Sequence, residues 1–369
     1  MIIAGEPSGD TVGGLLAAEI KLLSPEIELF GLGGDRMDIS GVDIRYHVNQ
    51  LSFLGFVEVI RHLPFIKEVE SDLLNQVRKR KPALAILIDY PGFNLRLAAK
   101  LKEMGIPILY YVSPQIWAWG KGRISKIRKL VSKMVVVFEF EKKIYVENSV
   151  PAEWFGHPLM EIVKPKYNKS EIMRKIGLGD GEEYIGLFPG SRRQEVSRIL
   201  PVMKSTMEMV NQTGKKFIGV VGCSSGMELE YYRSLGGDSL RYVGGLTYDL
   251  MAHSKFNLVA SGTATLECAI LNRPLFVLYK TSQITYILAR SMIKIPYIGL
   301  VNVVAGQKIA PEFIQSECEP HKISAALLQY LDNQAKMDEM SAKIGEIKNM
   351  LGSPGASRKT AELAIEMTR

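Results

Sequence analysis

The sequence has few cysteines, no long hydrophobic run and no large excess of either charge. Its three cysteines, Cys223, Cys268 and Cys318, are far apart and form no Cys-x-x-Cys pair, which favours a reducing compartment over a disulfide framework or a zinc site. The longest stretch without a charged residue, 104–120, contains two prolines and is too short and interrupted for a spanning helix. No signal peptide is recognisable, so we expect a cytoplasmic protein.

Three common signatures of nucleotide and metal sites are also missing. The glycines at 5, 9, 13 and 14 do not form Gly-x-Gly-x-x-Gly, the turn at 188–195 lacks the Lys-Ser/Thr ending of a Walker A loop, and no Asp-x-Asp occurs. We therefore predict no nicotinamide, flavin or other cofactor, no ATP or GTP hydrolysis and no bound metal.

The charge that is present is spread along the chain. The net charge is +7, and residues 1–150 carry 20 basic and 17 acidic side chains against 26 and 22 in residues 151–369. Because neither half is a basic arm, we expect no nucleic-acid partner. A mildly basic surface instead suits anionic small molecules or an anionic membrane face.

Short apolar strands, glycine-rich turns and helices alternate along the sequence, a pattern typical of α/β folds. We predict two Rossmann-like, doubly wound domains. The first spans 1–160 and the second 161–369, with a polar linker at 163–170 and a helical tail from about 321. In the second domain we expect strands near 184–188, 217–221, 240–243, 256–260 and 275–279.

Polar residues follow two strands of the first domain. The apolar run 82–89 ends on Asp89, at the edge where open α/β sheets bind ligands, and a carboxylate there can take a proton from a hydroxyl nucleophile. Its alternative role is to cap the next helix, predicted from about Asn94. The turn 5–10 lies between the first strand and a helix predicted from about Thr11 to Leu23. It offers Glu6, Ser8, Gly9 and Asp10 beside a backbone that can approach a ligand closely.

Two turns of the second domain are suited to a diphosphate. Ser261, Gly262 and Thr263 join a strand to a short helix that carries Glu267 one turn in, where a carboxylate can bind ribose hydroxyls. Backbone donors at Gly190 and Ser191, with the Arg192 guanidinium, form a second candidate clamp. A routine strand-to-helix turn is the alternative at 261–267. Asn302 lies in an apolar segment, where a buried amide needs partners.

Two segments are suited to a lipid surface. Residues 121–133 carry six Lys or Arg and no acid, with apolar residues at helical spacing, so the segment is either a core-facing helix with a solvated basic face or a helix on anionic lipid. The apolar stretch 51–66 is either a buried helix with a loop or a surface for acyl chains.

Eight segments, in order along nearly the whole chain, are similar to those of the lipid-A-disaccharide synthases, which are inverting glycosyltransferases of the two-Rossmann GT-B type. They are GEPSGD (5–10), GLGGDRM (31–37), DYPGFN (89–94), SPQIWAWG (113–120), GHPL (156–159), PGSRRQE (189–195), ASGTATLE (260–267) and the Asn302 region. The resemblance implies two domains facing a central cleft. It also implies UDP-2,3-diacylglucosamine as donor and 2,3-diacylglucosamine 1-phosphate as acceptor, with a β-1,6-linked disaccharide 1-phosphate and UDP as products.

Under this resemblance Asp89 is the candidate base, and Glu6, Ser8, Gly9 and Asp10 lie on the acceptor side. UDP would be held by residues 190–192, 261–263, Glu267 and Asn302. A homodimer and a peripheral position at the inner membrane stay open. The rival functions are a peptidoglycan glycosyltransferase, a sugar-nucleotide 2-epimerase and a non-catalytic binding protein.

Overall fold

The computed structural model describes residues 1–50, 63–118, 121–179, 181–292 and 295–369, which divide into two compact units. The first unit comprises Met1–Pro158 and Leu351–Arg369, and the second comprises Leu159–Met350. Most of the apolar stretch 51–66 lies outside the described residues, as do Trp119 and Gly120. Within the described residues, no helix is long and apolar enough to cross a membrane.

The first unit contains a seven-stranded parallel sheet. Its strands are β1 (Ile2–Ala4), β2 (Leu29–Gly33), β3 (Val42–His47), β4 (Ala85–Ile88), β5 (Ile108–Tyr111), β6 (Lys133–Val136) and β7 (Ala152–Trp154). They lie in the order β3-β2-β1-β4-β5-β6-β7. The helices between them are α1 (Pro7–Leu23), α2 (Asp35–Ile39), α3 (Leu63–Arg80), α4 (Pro91–Glu103), α5 (Ile124–Leu130) and α6 (Glu139–Glu147).

The second unit contains a six-stranded parallel sheet. Its strands are β8 (Glu183–Phe188), β9 (Phe217–Cys223), β10 (Arg241–Gly244), β11 (Phe256–Ala260), β12 (Leu275–Tyr279) and β13 (Glu312–Ile314), in the order β10-β9-β8-β11-β12-β13. The five strands predicted from the sequence are confirmed, and β13 was not predicted.

The helices of the second unit are α7 (Leu159–Ile162), α8 (Lys169–Lys175), α9 (Arg193–Gln212), α10 (Leu229–Gly236), α11 (Thr247–His253), α12 (Ala264–Ile270), α13 (Gln283–Met292), α14 (Leu300–Ala305), α15 (Pro320–Leu331) and α16 (Gln334–Met350).

The last helix, α17 (Ala356–Glu366), belongs to the first unit. Its residues Ala361 and Ala364 are buried in the apolar cluster formed by α1, α2 and one face of the first sheet. Helices α3 to α6 cover the opposite face through a second cluster. The predicted domain 161–369 therefore has to be corrected, because the end of the tail packs on the first sheet and completes one of its two helical layers.

Two helices begin earlier than the sequence pattern predicted. Helix α1 begins at Pro7 rather than near Thr11, and α4 begins at Pro91 rather than near Asn94. Proline is favoured in the first turn of a helix because its fixed φ suits the helix and its missing N–H would have no partner there. Ser8, Gly9 and Asp10 consequently lie in the first turn of α1 and not in an open loop.

Candidate active site

The edge of the first sheet at β1 and β4 collects most of the residues predicted for the acceptor side. The chain leaves β1 toward β2 and β3, then returns to β4 on the other side of β1, so the strand order reverses between these two strands. Such a switch point opens a crevice at the carboxyl ends of the strands. Ala4 pairs with Ile88, and the next residues, Gly5 and Asp89, therefore stand side by side.

Asp89 occupies an unusual backbone conformation. Asp89 and Tyr90 both have a left-handed φ, 45° and 46°, which non-glycine residues adopt at a cost of about 1–3 kcal/mol each. The Asp89 carbonyl accepts hydrogen bonds from the Tyr110 hydroxyl at 2.6 Å and from the Asn94 amide at 2.7 Å. The N-cap of α4 is Tyr90. Tyr110 and Asn94 thus hold the strained turn in place. The turn carries the half-buried side chain of Asp89 beyond the end of β4.

Glu6 lies near the same turn. It is the N-cap residue of α1, and its charge adds to burial in raising the pKa of Tyr90. The Tyr90 ring occupies the space in which a side chain at Gly5 would stand, so glycine is required there. Ser8 is exposed on the first turn of α1.

Asp10 serves the local structure. Its buried carboxylate accepts hydrogen bonds from the backbone N–H groups at the start of α2, those of Gly34 (2.6 Å), Arg36 (3.1 Å) and Met37 (3.1 Å). Gly9 faces the core, where a Cβ would lie 3.3 Å from that of Ala4. The predicted acceptor-side set therefore separates into outward residues, Glu6 and Ser8, and inward residues, Gly9 and Asp10, that position the turn.

The loop after β5 is held by a carboxylate that sequence patterns do not reveal. Glu141 is 1% exposed and accepts hydrogen bonds at one oxygen from Ser113 and Trp117, each at 2.9 Å. Its other oxygen accepts the N–H groups of Val137 and Phe138. Burial raises the pKa of Glu141 to about 7 against the lowering effect of these donors. Glu141 fixes where Trp117 lies.

The edge of the second sheet at β8 and β11 collects the residues predicted for UDP. The strand order reverses between these strands as it does in the first unit, and Phe188 pairs with Val259. The turns at 189–192 and 261–263 are therefore neighbours at a second switch point.

The first of these turns is built around Gly190. This glycine has φ +113°, and the Glu195 side chain occupies the place of its missing Cβ. Arg192 is the N-cap residue of the 20-residue helix α9, and its guanidinium lies 3.3 Å from the Glu195 carboxylate. Ser191 is exposed. Backbone donors at the start of a long helix beside a guanidinium are suited to an anionic group.

The second turn leaves open space beside its backbone. The Ser261 hydroxyl donates to the Ile298 carbonyl at 2.9 Å, and the Ser261 N–H donates to Leu278 at 2.9 Å. Apart from Gly262 itself and its two chain neighbours, no atom of the described residues lies within 4 Å of the position that a Cβ on Gly262 would take. Thr263, the exposed N-cap residue of α12, completes the turn. A ligand can thus reach the Gly262 backbone directly.

Glu267, one turn into α12, is a half-buried carboxylate. Burial raises its pKa to about 7. Within the described residues, no hydrogen bond or ion pair reaches its oxygens. Desolvating a carboxylate without partners is costly, and hydroxyl donors from a ligand would relieve that cost.

Asn302 differs from Glu267, because its side-chain amide is fully used in hydrogen bonds within the chain. Its amide nitrogen donates to Ala310 (2.8 Å) and Glu312 (2.9 Å), and its oxygen accepts the N–H groups of Ile309 and Ala310, both at 2.9 Å. An amide offers two donors and two acceptor positions, so all four are in use. The Asn302 side chain therefore holds the segment 302–310, and its contact with UDP stays a prediction.

No group of three or more His, Cys, Asp or Glu side chains that could hold a metal ion is found across residues 1–50, 63–118, 121–179, 181–292 and 295–369. His157 lies against the Phe138 ring, and burial lowers its pKa to about 3.

Comparison with known proteins identifies the family. The model of the family described as Lipid-A-disaccharide synthetase matches residues 1–366. A lipid-A-disaccharide synthase from Geobacter metallireducens is 36% identical over 100% of this chain and 96% of its own length. One from Coxiella burnetii is 34% identical over 98% of this chain and 96% of its own length. The chain belongs to this family of glycosyltransferases, as the sequence motifs predicted.

Solved structures of more distant proteins share the fold. A UDP-GlcNAc 2-epimerase from Neisseria meningitidis, solved bound to UDP-GlcNAc, has a TM-score of 0.65 at 14% identity, covering 96% of this chain and 97% of that chain. A glycosyltransferase from Rickettsia africae has a TM-score of 0.55 at 11% identity, covering 100% and 97%. These likenesses confirm the predicted class, two doubly wound α/β domains of the GT-B type.

Proposed function

We propose that this chain transfers the sugar of UDP-2,3-diacylglucosamine to the primary hydroxyl of 2,3-diacylglucosamine 1-phosphate, with Asp89 as the base. The reaction is that of the family to which the chain belongs. The primary hydroxyl oxygen of the acceptor attacks the anomeric carbon of the donor sugar, its proton passes to the Asp89 carboxylate, and the bond from that carbon to the diphosphate oxygen breaks to release UDP. A single displacement inverts the anomeric carbon and gives the β-1,6 linkage.

The role of Asp89 is supported by its position and by its backbone. It extends beyond β4 at the switch point, on a turn whose left-handed conformation is held by Tyr110 and Asn94. Strain that the surroundings maintain is characteristic of functional positions. General-base catalysis by such a group contributes typically about 10²–10⁴-fold. Glu6 is the nearby carboxylate that could assist or compete with it.

The single observation that carries the donor site is the Glu267 carboxylate, which no hydrogen bond or ion pair reaches within the described residues. Glu267 lies in the first turn of α12, directly after the loop 261–263. That loop follows β11, and the loop 190–192 follows the neighbouring strand β8. The two loops bind the diphosphate through backbone donors and the Arg192 guanidinium, and Glu267 accepts the ribose hydroxyls. UDP-bound relatives of the same fold agree with a nucleotide-sugar donor.

The membrane is the source of both lipid substrates, so we place the protein in the cytoplasm as a peripheral protein at the inner membrane. Ile127 of α5 is buried in the core, whereas Lys126, Arg128 and Lys129 are exposed. The helix thus packs on the sheet and also presents a basic face to anionic lipid. Flotation with anionic vesicles tests this membrane contact. It compares the wild type with a variant in which Lys126, Arg128 and Lys129 are all replaced by Gln. Sedimentation velocity tests whether the chain forms a homodimer.

The function itself is tested by measuring UDP release from the donor with and without the acceptor. We expect release to require both lipids and to yield a disaccharide. Conversion of UDP-N-acetylglucosamine alone would assign the chain as an epimerase, and UDP binding without turnover on any lipid would assign it as a binding protein. Either result contradicts the proposal.

A further inference from the structure

A cavity of about 470 Å³ lies between α3 and α4, on the helical layer of the first unit. Four of its lining side chains are cations, Lys67, Arg78, Arg96 and Lys100, and one is a carboxylate, Glu70. Its remaining lining residues are Ser71 and Leu74. Four cations against one carboxylate leave an excess of three positive charges around a concave site, which concentrates anions.

The spacing of these residues accounts for the cavity. On α3, positions 67, 71, 74 and 78 recur every three or four residues and therefore share one face of the helix. On α4, positions 96 and 100 are one turn apart. The opposite faces of both helices bury Val69, Leu73, Leu97 and Leu101 in the core of the first unit. The basic groove is thus the outward side of two helices anchored on the same sheet.

Glu70 orients two of the cations. Its side chain is 5% exposed, pairs with Lys100, and accepts a hydrogen bond from Arg96 Nε at 2.6 Å. Burial alone would raise the pKa of Glu70, but the hydrogen bonds from Lys100 and Arg96 outweigh it and lower the pKa. Because Arg96 is held through Nε, its two terminal nitrogens stay uncommitted among the described residues, and this pair is the geometry that binds phosphate oxygens.

In the part of the chain that the structure describes, the other two cations have no carboxylate partner. Lys67 makes no hydrogen bond or ion pair within the described residues, and Arg78 donates only to the neutral Asn75 oxygen at 2.7 Å. Two other basic side chains of this unit, Arg80 and Lys133, pair with Asp43 and Glu153. Unpaired like charges around one groove repel each other, and an anion between them would remove that repulsion.

We propose that this cavity binds a phosphate ester, with the phosphate between Arg96 and Lys100 and with Lys67 and Arg78 at the two ends of the groove. The volume exceeds what a bare phosphate needs and falls in the range of small-ligand sites, so a phosphomonoester or phosphodiester of a small polar group fits. The phosphate can belong to a free metabolite or to the headgroup of an anionic lipid.

The test compares two double variants with the same change in charge. Lys67→Glu with Arg78→Glu alters the groove and leaves the Glu70 ion pairs intact. Lys79→Glu with Lys102→Glu alters exposed side chains of the same helices outside the cavity. Binding of glycerol 3-phosphate is measured by calorimetry, and binding of vesicles with and without phosphatidylglycerol is measured by flotation, both at fixed ionic strength. UDP affinity and thermal unfolding serve as checks of folding.

We expect the groove variant to weaken binding about tenfold or more and the control variant by less than about twofold, because only the groove variant removes charge-assisted contacts. Saturable binding of glycerol 3-phosphate assigns a free phosphate ester, whereas binding confined to phosphatidylglycerol vesicles assigns a lipid headgroup. Equal losses in both variants, or no binding of either probe by the wild type, would overturn the proposal.

Discussion

The two switch points of this protein share a topology and differ in chemistry. In the first unit the edge between β1 and β4 carries the Asp89 carboxylate on a strained turn, with the Glu6 carboxylate near it at the start of α1. In the second unit the edge between β8 and β11 carries backbone donors, the Arg192 guanidinium and the start of α9, with Glu267 one turn further in. In the proposed mechanism the same fold therefore provides a proton acceptor on one sheet and a diphosphate site on the other. Changes at the two edges should separate catalysis from donor binding.

The largest effect expected on the donor side is that of Arg192→Ala. Loss of a charge-assisted contact with the diphosphate should raise the Kd for UDP about ten- to a hundredfold while turnover at saturating donor changes little. The matched control is Arg193→Ala, because the Arg193 guanidinium lies 4.5 Å from the Tyr231 ring centroid. Calorimetric titration with UDP measures both. Equal losses in the two variants would remove Arg192 from the donor site.

The pH dependence of donor affinity sharpens the comparison further. The pKa of Glu267 is raised to about 7 by burial, so its ionised fraction grows as the pH rises through 7. An ionised carboxylate accepts hydroxyl hydrogen bonds more strongly, so affinity for the UDP-sugar should rise up to about tenfold between about pH 6 and pH 8. Glu267→Gln should abolish this dependence. A wild-type affinity that falls or stays constant over this range would contradict the role of Glu267.

The support of the Asp89 turn can be tested by removing one hydroxyl from each unit. Tyr110→Phe removes the hydrogen bond to the Asp89 carbonyl and should lower turnover severalfold, for a loss of about 1 kcal/mol, without changing UDP affinity. Tyr184→Phe removes the hydrogen bond of an equally buried tyrosine, to the Leu250 carbonyl at 2.8 Å in the second unit, and should preserve turnover. If both variants lose turnover equally, the effect is one of general stability.

The smallest expected effect is that of a chelator. The diphosphate is proposed to be bound by backbone donors and Arg192 and not by a metal ion, so EDTA should leave turnover unchanged. The measurement is the initial rate of disaccharide formation before and after dialysis against EDTA. A loss of rate that added Mg²⁺ restores would show that the leaving group needs a metal.

The sequence predicts which polar residues lie at the two sheet edges, because each of them follows a strand directly. The strand order then brings these strand ends together. The apolar runs before Asp89 and Ser261 marked β4 and β11 without reference to tertiary contacts. The sequence pattern places the starts of α1 and α4 too late because proline is also common in turns, whereas Pro7 and Pro91 are the first helical residues.

Roles that depend on tertiary contacts could not be predicted from local patterns. Asp10 and Asn302 carry polar groups suited to ligands, but distant backbone groups use their hydrogen-bonding capacity. Glu141 lies inside an ordinary helix, and only the fold brings Ser113 and Trp117 to it. The return of α17 to the first unit likewise depends on contacts between the two ends of the chain.

The most direct test of this division of roles is Asp89→Asn, with disaccharide formation and UDP affinity measured on the same preparation. The asparagine keeps the size of the side chain and removes its capacity as a base. We expect turnover at saturating substrates to fall by about 10²–10⁴-fold and the Kd for UDP to stay within about twofold of the wild type. Turnover near that of the wild type would contradict the account, because the base would then have to be sought elsewhere, first at Glu6.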